Sequence, residues 1–197
     1  METPTSSFDL VEKVKAGDRE VFTRLFQKYR RRLAVLIHYK LSPELRGKVE
    51  VDDILQETLL RAFRDIGQFT YRSPGSFLSW LESIAGHVII DMARYQGRQR
   101  RAGEEVRFRS ASNPLGPEPV DTETPSRVLR EKEGVQALLE RLNSLPEDYR
   151  QVILLAKIEG LSTAEIADRL GKSREAVALL LYRAVKRFRV LAQRAET

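Results

Sequence analysis

The chain has 197 residues, 42% of them hydrophobic, which suits one or two small domains with a buried core. Its 34 Lys and Arg outnumber its 28 Asp and Glu, and a formal net charge of +6 favours a polyanionic partner. The lack of cysteine excludes disulfides and thiolate zinc sites. The N-terminal segment is too polar for a signal peptide and no apolar run reaches the ~20 residues of a membrane helix, so we expect a cytoplasmic protein.

The first half of the chain has helical apolar spacing, with glycine and proline between segments rather than inside them. Asp18, Asp52 and Ser76 are placed to open helices. The core side of the long second helix is predicted to consist of Phe22, Leu25, Phe26, Tyr29, Leu33 and Leu36. The predicted helices cover residues 8–16, 18–39, 52–68 and 76–96.

The composition changes after residue 101. Residues 102–126 are rich in Pro, Ser and Glu and lack periodicity, which is typical of a flexible linker. Further helices are predicted over residues 127–142, 146–158, 163–170 and 174–193. The sequence therefore predicts an all-α protein with two small helical domains, residues 1–101 and 127–197, joined by a flexible linker at 102–126.

The stretch GLSTAEIADRLGKSREAVALLLYRA has the signals of a helix-turn-helix. Ser162 and Glu165 have the spacing of a capping box, Gly171 supplies a left-handed residue, and Ser173 can cap the second helix. Such a helix enters the major groove N-terminus first, although an ordinary helical hairpin would have the same caps. The candidate DNA contacts are Lys172, Ser173, Arg174, Glu175, Ala178, Leu179, Arg183 and Lys186.

The predicted third helix carries a strip of acidic residues opposite its core face. Asp53, Glu57 and Leu60 lie on this strip, with Gln56 between the two faces. Acidic residues around a leucine, on a basic protein, indicate docking of a cationic protein, and a plain solvated face is the alternative.

The fourth helix and the loop before it combine aromatic and basic side chains. One helical face aligns Trp80, His87, Asp91 and Arg94 and leads to Arg98, and the loop supplies Phe69 and Tyr71. Aromatic rings beside cations suit an unpaired nucleic-acid strand, whose bases stack while its phosphates follow the arginines. Trp80 also fits the rim of the core.

Together these segments resemble the extracytoplasmic-function sigma factors of bacterial RNA polymerase. The resemblance is carried by VDDILQETLLRAF, SFLSWLESIAGHVIIDMAR and LPEDYRQVILLAKIEGLSTAEIADRLGKSREAVALLLYRA, in that order across nearly the whole chain. It implies a first domain that docks on the polymerase clamp and melts promoter DNA, and a second that reads the upstream element. It implies no enzymatic activity and no cofactor. The implied partners are core polymerase, promoter DNA and an anti-sigma factor as a separate regulator.

The resemblance also implies roles for individual residues. The predicted contacts with the clamp helices are Asp53, Gln56, Glu57 and Leu60. The predicted contacts with the minus-ten strand are Phe69, Tyr71, Ser76, Trp80, His87, Asp91, Arg94 and Arg98, the first three framing a flipped base. The helix-turn-helix residues named above are implied to read the minus-thirty-five element.

The chain departs from the family pattern at two places. Gly86 and His87 stand where an asparagine is usual, which affects the detailed minus-ten preference. Ala178, Leu179 and Leu180 replace a polar run, so family contacts do not transfer to them. Leu179 points outward by helical angle and is a candidate contact for a thymine methyl or for a protein partner.

Two other classes of function compete. A stand-alone helix-turn-helix repressor would use the first half for dimerisation or ligand binding and would bind palindromic duplex without polymerase. A metal-dependent enzyme would use Asp52, Asp53 and Glu57 with His38 or His87, but those carboxylates sit on a single helix.

Overall fold

The computed structural model describes the backbone of residues 7–73, 75–102 and 125–194, and the side chains of residues 8–73, 75–98 and 132–193. It divides into two compact units, Met1–Thr124 and Pro125–Thr197. All regular elements in the described ranges are helical, as the sequence predicts. Of the predicted linker, residues 103–124 lie outside the described residues.

Helix α2 is the centre of the first unit, because α1, α4 and α5 all pack against it. Asp18 caps α2 as predicted, its Oδ1 accepting from the Val21 amide at 3.0 Å. The predicted core positions of α2 are all buried. The elements of this unit are α1 (Ser7–Lys15), α2 (Arg19–Lys40), α3 (Pro43–Arg46), α4 (Val51–Asp65), a 3-10 turn (Ile66–Gln68) and α5 (Ser76–Ala102).

The start of α4 corrects one prediction. Glu50, not Asp52, occupies the N-cap position of α4, and its side chain makes no capping hydrogen bond. Asp52 lies in the first turn, where a carboxylate interacts favourably with the helix dipole. Its Oδ1 accepts from Arg30 Nη2 on α2 at 3.2 Å. The carboxylate therefore ties α4 to α2 instead of capping its own helix.

In the second unit, α6, α7 and α8 each contact α9. The predicted helix over residues 146–158 changes geometry within its length, since its α-helical part ends at Ile153 and a π-helical segment follows. Gly160 ends that segment with a left-handed φ of 80°. The elements are α6 (Pro125–Asn143), α7 (Glu147–Ile153), the π-helical segment (Leu154–Glu159), α8 (Thr163–Leu170) and α9 (Arg174–Arg194).

Helices α8 and α9 form the predicted helix-turn-helix. The capping box of Ser162 and Glu165 is complete, and Gly171 ends α8 with a left-handed φ of 62°. Ser173 Oγ accepts from the Ala176 amide at 3.1 Å and so caps α9. Ile166 and Val177, both 0% exposed, close the angle between the two helices.

Candidate nucleic-acid and protein interfaces

The acidic strip of α4 is less open than its sequence pattern predicts. Glu57 Oε1 accepts from Arg61 Nε at 2.7 Å, and the Glu57 side chain is only 17% exposed. Asp53 and Leu60 are half-buried, while Gln56 is exposed. The strip therefore consists of partly covered groups, of which Glu57 is already held by a cation of its own helix.

Arg61 also joins the strip to α5. Its Nη1 donates to Asp91 Oδ2 at 2.8 Å, so one guanidinium holds two carboxylates from two helices. Partial burial by itself lowers the pKa of Arg61, but the hydrogen bonds and charges of Glu57 and Asp91 outweigh it, and the net pKa is raised. Arg61 thus stays charged, and Glu57 and Asp91, assigned by sequence to different surfaces, share one partner.

Phe69 lies in the core rather than at a base-binding surface. It is 5% exposed, and its ring lies 4.9 Å from that of Trp80 and 5.5 Å from that of Phe77, measured between centroids. The prediction that Phe69 frames a flipped base does not match this position, because the ring is covered by its own aromatic neighbours. Trp80 is half-buried, which fits the rim of the core. Phe69, Phe77 and Trp80 therefore form one aromatic cluster in the first unit.

Ser76 organises the loop at the start of α5. Its Oγ accepts from the amides of Arg72 and Ser73 at 3.2 and 3.3 Å and donates to the Ser73 carbonyl at 2.7 Å. The half-buried Tyr71 ring meets Phe8 of α1 edge-on at 5.5 Å. Desolvation, with a contribution from Tyr29, raises the pKa of Tyr71 above that of a free phenol.

The outer face of α5 presents basic side chains. His87, Arg94 and Arg98 are exposed, whereas Asp91 is half-buried beside Arg61. Sequence analysis missed Ile90, which is 47% exposed between these residues. The available signal was its position outside the buried side of the helix, which includes Phe77, Leu81, Val88 and Met92, together with its spacing of one turn from His87 and from Arg94.

The first turns of α9 are open to solvent. Every residue of the predicted contact set is exposed, namely Lys172, Ser173, Arg174, Glu175, Ala178, Leu179, Arg183 and Lys186. Leu179 is 49% exposed and Leu180 is half-buried, as their helical angles predict. Tyr182 was not predicted, yet it is 66% exposed and lies one turn beyond Leu179 on the same side. Its polar hydroxyl and flat ring suit contact with a DNA groove. The sequence signal for its outward position was its spacing of one turn from Leu179.

The described part of the chain contains no cluster of three or more His, Asp or Glu side chains that could hold a metal ion. Asp52 and Glu57, weighed as metal ligands, are bound to Arg30 and Arg61. Among the described helices, none is both long and apolar enough to span a lipid bilayer.

The fold and these surfaces define an all-helical DNA-binding protein in which a helix-turn-helix unit follows a helical bundle. The family model for sigma-70 region 2 matches residues 25–99, within the first unit. The family model for sigma-70 region 4 matches residues 135–188, which include α8 and most of α9. The ECF RNA polymerase sigma-E factor of Haemophilus influenzae is 31% identical over 160 residues, covering 81% of this chain and 80% of that protein. The chain belongs to the extracytoplasmic-function family of RNA polymerase sigma factors.

Other similarities have different extents. The ECF RNA polymerase sigma factor BldN of Streptomyces coelicolor is 32% identical over 178 residues, 90% of this chain but only 62% of that protein. The solved structure of CnrH in complex with the cytosolic domain of CnrY is 22% identical and covers 96% of this chain and 98% of that one, with a TM-score of 0.44. That superposition is too loose to support a conclusion about this chain.

Proposed function

We propose that this sigma factor directs core RNA polymerase to specific promoters through two separate domains. Residues 1–101 dock on the polymerase and capture the minus-ten element, residues 102–126 link the domains, and residues 127–197 read the minus-thirty-five element. The chain acts as a non-enzymatic initiation factor in the cytoplasm. Its proposed partners are core polymerase, promoter DNA and an anti-sigma factor that regulates it.

Polymerase docking is assigned to Asp53, Gln56, Glu57 and Leu60 on α4. Leu60 gives the surface an apolar centre, and the carboxylates give it the charge to pair with a basic partner helix. Glu57 already accepts from Arg61. A basic polymerase side chain therefore joins or replaces an existing ion pair, which favours orientation and specificity over raw affinity.

Minus-ten capture is assigned to the loop before α5 and to the outer face of that helix. Tyr71 supplies an aromatic surface, while Ser76 holds the loop backbone and so positions it. His87, Arg94 and Arg98 are exposed and suit the phosphates and base edges of the displaced strand. Asp91 is partly neutralised by Arg61, which lowers its repulsion of phosphate. Trp80 packs against Phe69, which precedes the loop.

Minus-thirty-five recognition is assigned to the exposed N-terminal half of α9. Arg174 and Glu175 lie in its first turn, the part of a recognition helix that meets base edges. Arg183 and Lys186 lie further along and suit phosphates. Ala178 and Leu179 are exposed but cannot form charged contacts, so Leu179 is a candidate for contact with a thymine methyl.

The observation that carries this proposal is the order of a region 2 match and a region 4 match on one chain whose α9 presents exposed cations. The test is a gel shift with promoter DNA, with and without core polymerase, followed by run-off transcription. We expect weak, poorly specific binding by the chain alone and specific initiation once core is added. Tight, specific binding to palindromic duplex without core would instead identify a stand-alone regulator.

A further inference from the structure

Arg61 connects the two surfaces that the first unit is proposed to use. Its Nε donates to Glu57 Oε1 on α4 at 2.7 Å, and its Nη1 donates to Asp91 Oδ2 on α5 at 2.8 Å. Glu57 belongs to the proposed docking surface, and Asp91 belongs to the proposed strand-capture surface. A partner that binds one of these carboxylates therefore changes how strongly Arg61 is held by the other.

The burial of the three side chains suits such an exchange. The Arg61 side chain is 25% exposed, that of Glu57 is 17% exposed and that of Asp91 is 47% exposed. Partly buried ion pairs are screened by salt much less than fully exposed ones, so a change at one end is felt at the other. The exposure that remains leaves both carboxylates within reach of an approaching partner.

The helices on either side of Arg61 are fixed by packing. Helices α4 and α5 pack against each other, and Ala62 on α4 and Met92 on α5 are 0% and 1% exposed. Close-packed helices resist sliding. A change at Glu57 therefore reaches Asp91 through charge and hydrogen bonding at Arg61 rather than through movement of a helix.

We propose that Arg61 couples polymerase docking to capture of the minus-ten strand. The proposal rests on the proposed function, because it takes Glu57 and Asp91 as members of the two surfaces. A basic polymerase side chain that pairs with Glu57 competes with the Nε bond and leaves more of the Arg61 charge for Asp91. A better neutralised Asp91 repels phosphate less, so the exposed His87 and Arg94 hold the strand more tightly. By linkage, strand binding strengthens docking by the same factor.

Arg64 provides a matched control on the same helix. Its Nε donates to Asp65, the next residue in the chain, at 3.3 Å, and its side chain is 68% exposed. An exposed ion pair of this kind contributes little. Arg64 thus has the same charge as Arg61, one turn away on α4, without the bridge to Asp91.

The test measures linkage with the full-length chain and core polymerase. The affinity for core is determined by fluorescence titration without and with a single-stranded oligonucleotide that carries the minus-ten strand of a promoter opened by the holoenzyme. The ratio of the two affinities is the coupling factor. We expect the oligonucleotide to tighten core binding by the wild-type chain, and Arg61→Gln to lower the coupling factor about fivefold. Arg64→Gln should keep the wild-type factor.

Asp91→Asn breaks the same bridge without removing the cation, so it also tests the proposal if Arg61→Gln does not fold. Because residue 91 is then neutral before docking, this variant should bind the strand more tightly without core and gain less from core. The double variant should lose no more coupling than Arg61→Gln alone, since both changes break one connection.

Three results would overturn the coupling role. An Arg61 that only supports the fold would weaken both core affinities equally and leave the coupling factor unchanged. An equal loss of coupling in Arg64→Gln would assign the effect to net charge, and a wild-type coupling factor of one would leave nothing for Arg61 to transmit. A wild-type chain that neither binds core polymerase nor opens a promoter with it would instead refute the proposed function, which separates the two failures.

Discussion

The two units present their candidate residues differently. In the first unit, several side chains assigned to docking and strand capture are bound within the protein, because Glu57 and Asp91 share Arg61 and Ser76 is bonded to loop backbone, whereas the cations of the outer face of α5 are exposed. In the second unit, the first turns of α9 project Arg174, Leu179 and their neighbours into solvent. A surface proposed to hold an unpaired base benefits from residues that are fixed before binding, whereas a helix that reads an intact groove must protrude.

A cavity in the core of the second unit should change stability more than any surface substitution, and it tests whether this unit unfolds independently of the first. Ile166 is 0% exposed between α8 and α9. Ile166→Ala should destabilise the second unit by about 2–5 kcal/mol, because it leaves a cavity at the helix-turn-helix angle. Thermal unfolding followed by calorimetry should show that only one of two transitions moves. Leu179→Ala, at an exposed position of the same unit, is the control, and a shift of both transitions would mean that the units unfold together.

The next prediction concerns the acidic strip of α4 in the first unit. Charge reversal of Asp53 and Glu57 to Lys should weaken binding to core polymerase by about 2–3 kcal/mol, because it replaces attraction to a basic partner with repulsion. The measurement is a fluorescence titration of labelled chain with core enzyme. Asp65→Lys, on the same helix but outside the proposed docking set, should have little effect. Unchanged affinity in the double variant, with the helical signal intact, would remove the docking assignment.

A third prediction concerns the projecting helix. Arg174→Ala should impair recognition of the minus-thirty-five element by about 1–3 kcal/mol and leave strand opening largely intact, because opening is assigned to the first unit. If Arg174 contacts a guanine, the variant loses affinity only at promoters that have this base. If Arg174 contacts a phosphate, the loss of affinity is similar for all sequences and the salt dependence of binding is shallower. Upstream-element binding is measured beside permanganate footprinting of the bubble. Equal damage to both activities, or to neither, would show that α9 is assigned wrongly.

A smaller effect tests the apolar part of the same helix. If Leu179 contacts a thymine methyl, replacing that thymine by deoxyuridine removes only the methyl group and should cost about 0.8 kcal/mol. The loss should appear with the wild-type chain and disappear with Leu179→Ala. The measurement is the affinity of the holoenzyme for promoters in which single thymines are replaced by deoxyuridine. Equal binding to all replaced promoters by the wild-type chain would leave Leu179 without a base contact.

The smallest effect is a pH dependence of the cap of α8. Hydrogen bonds from the Ser162 side chain and backbone lower the pKa of Glu165. A carboxyl with a lowered folded-state pKa adds stability that is complete above its ordinary pKa of about 4.3 and is lost as pH falls through the lower folded value. Glu165→Gln should flatten this acid limb of the unfolding curve of the second unit. An unchanged acid limb in the variant would mean that other carboxylates cause it.

Sequence analysis predicted the helices well because the signals are local. The core side of α2 follows from apolar spacing within one helix, and the caps at Asp18, Ser162 and Ser173 each involve an amide three residues later. The outward position of Leu179 followed from helical angle in the same way. The family resemblance rested on such segments in order, and the region 2 and region 4 matches confirm it.

Local sequence patterns were therefore enough to predict the all-helical fold class, the helix-turn-helix and the family. The packing of the helices against one another determines which polar and aromatic groups remain available at the surface. Asp52 meets Arg30 across 22 residues and Arg61 meets Asp91 across 30, while Phe69 is covered by Phe77 and Trp80. Helical periodicity gives the direction of a side chain around its own axis, but not the group that a neighbouring helix brings to meet it. Pairing and burial depend on that packing, because a charge or a ring is buried only where another element supplies a partner.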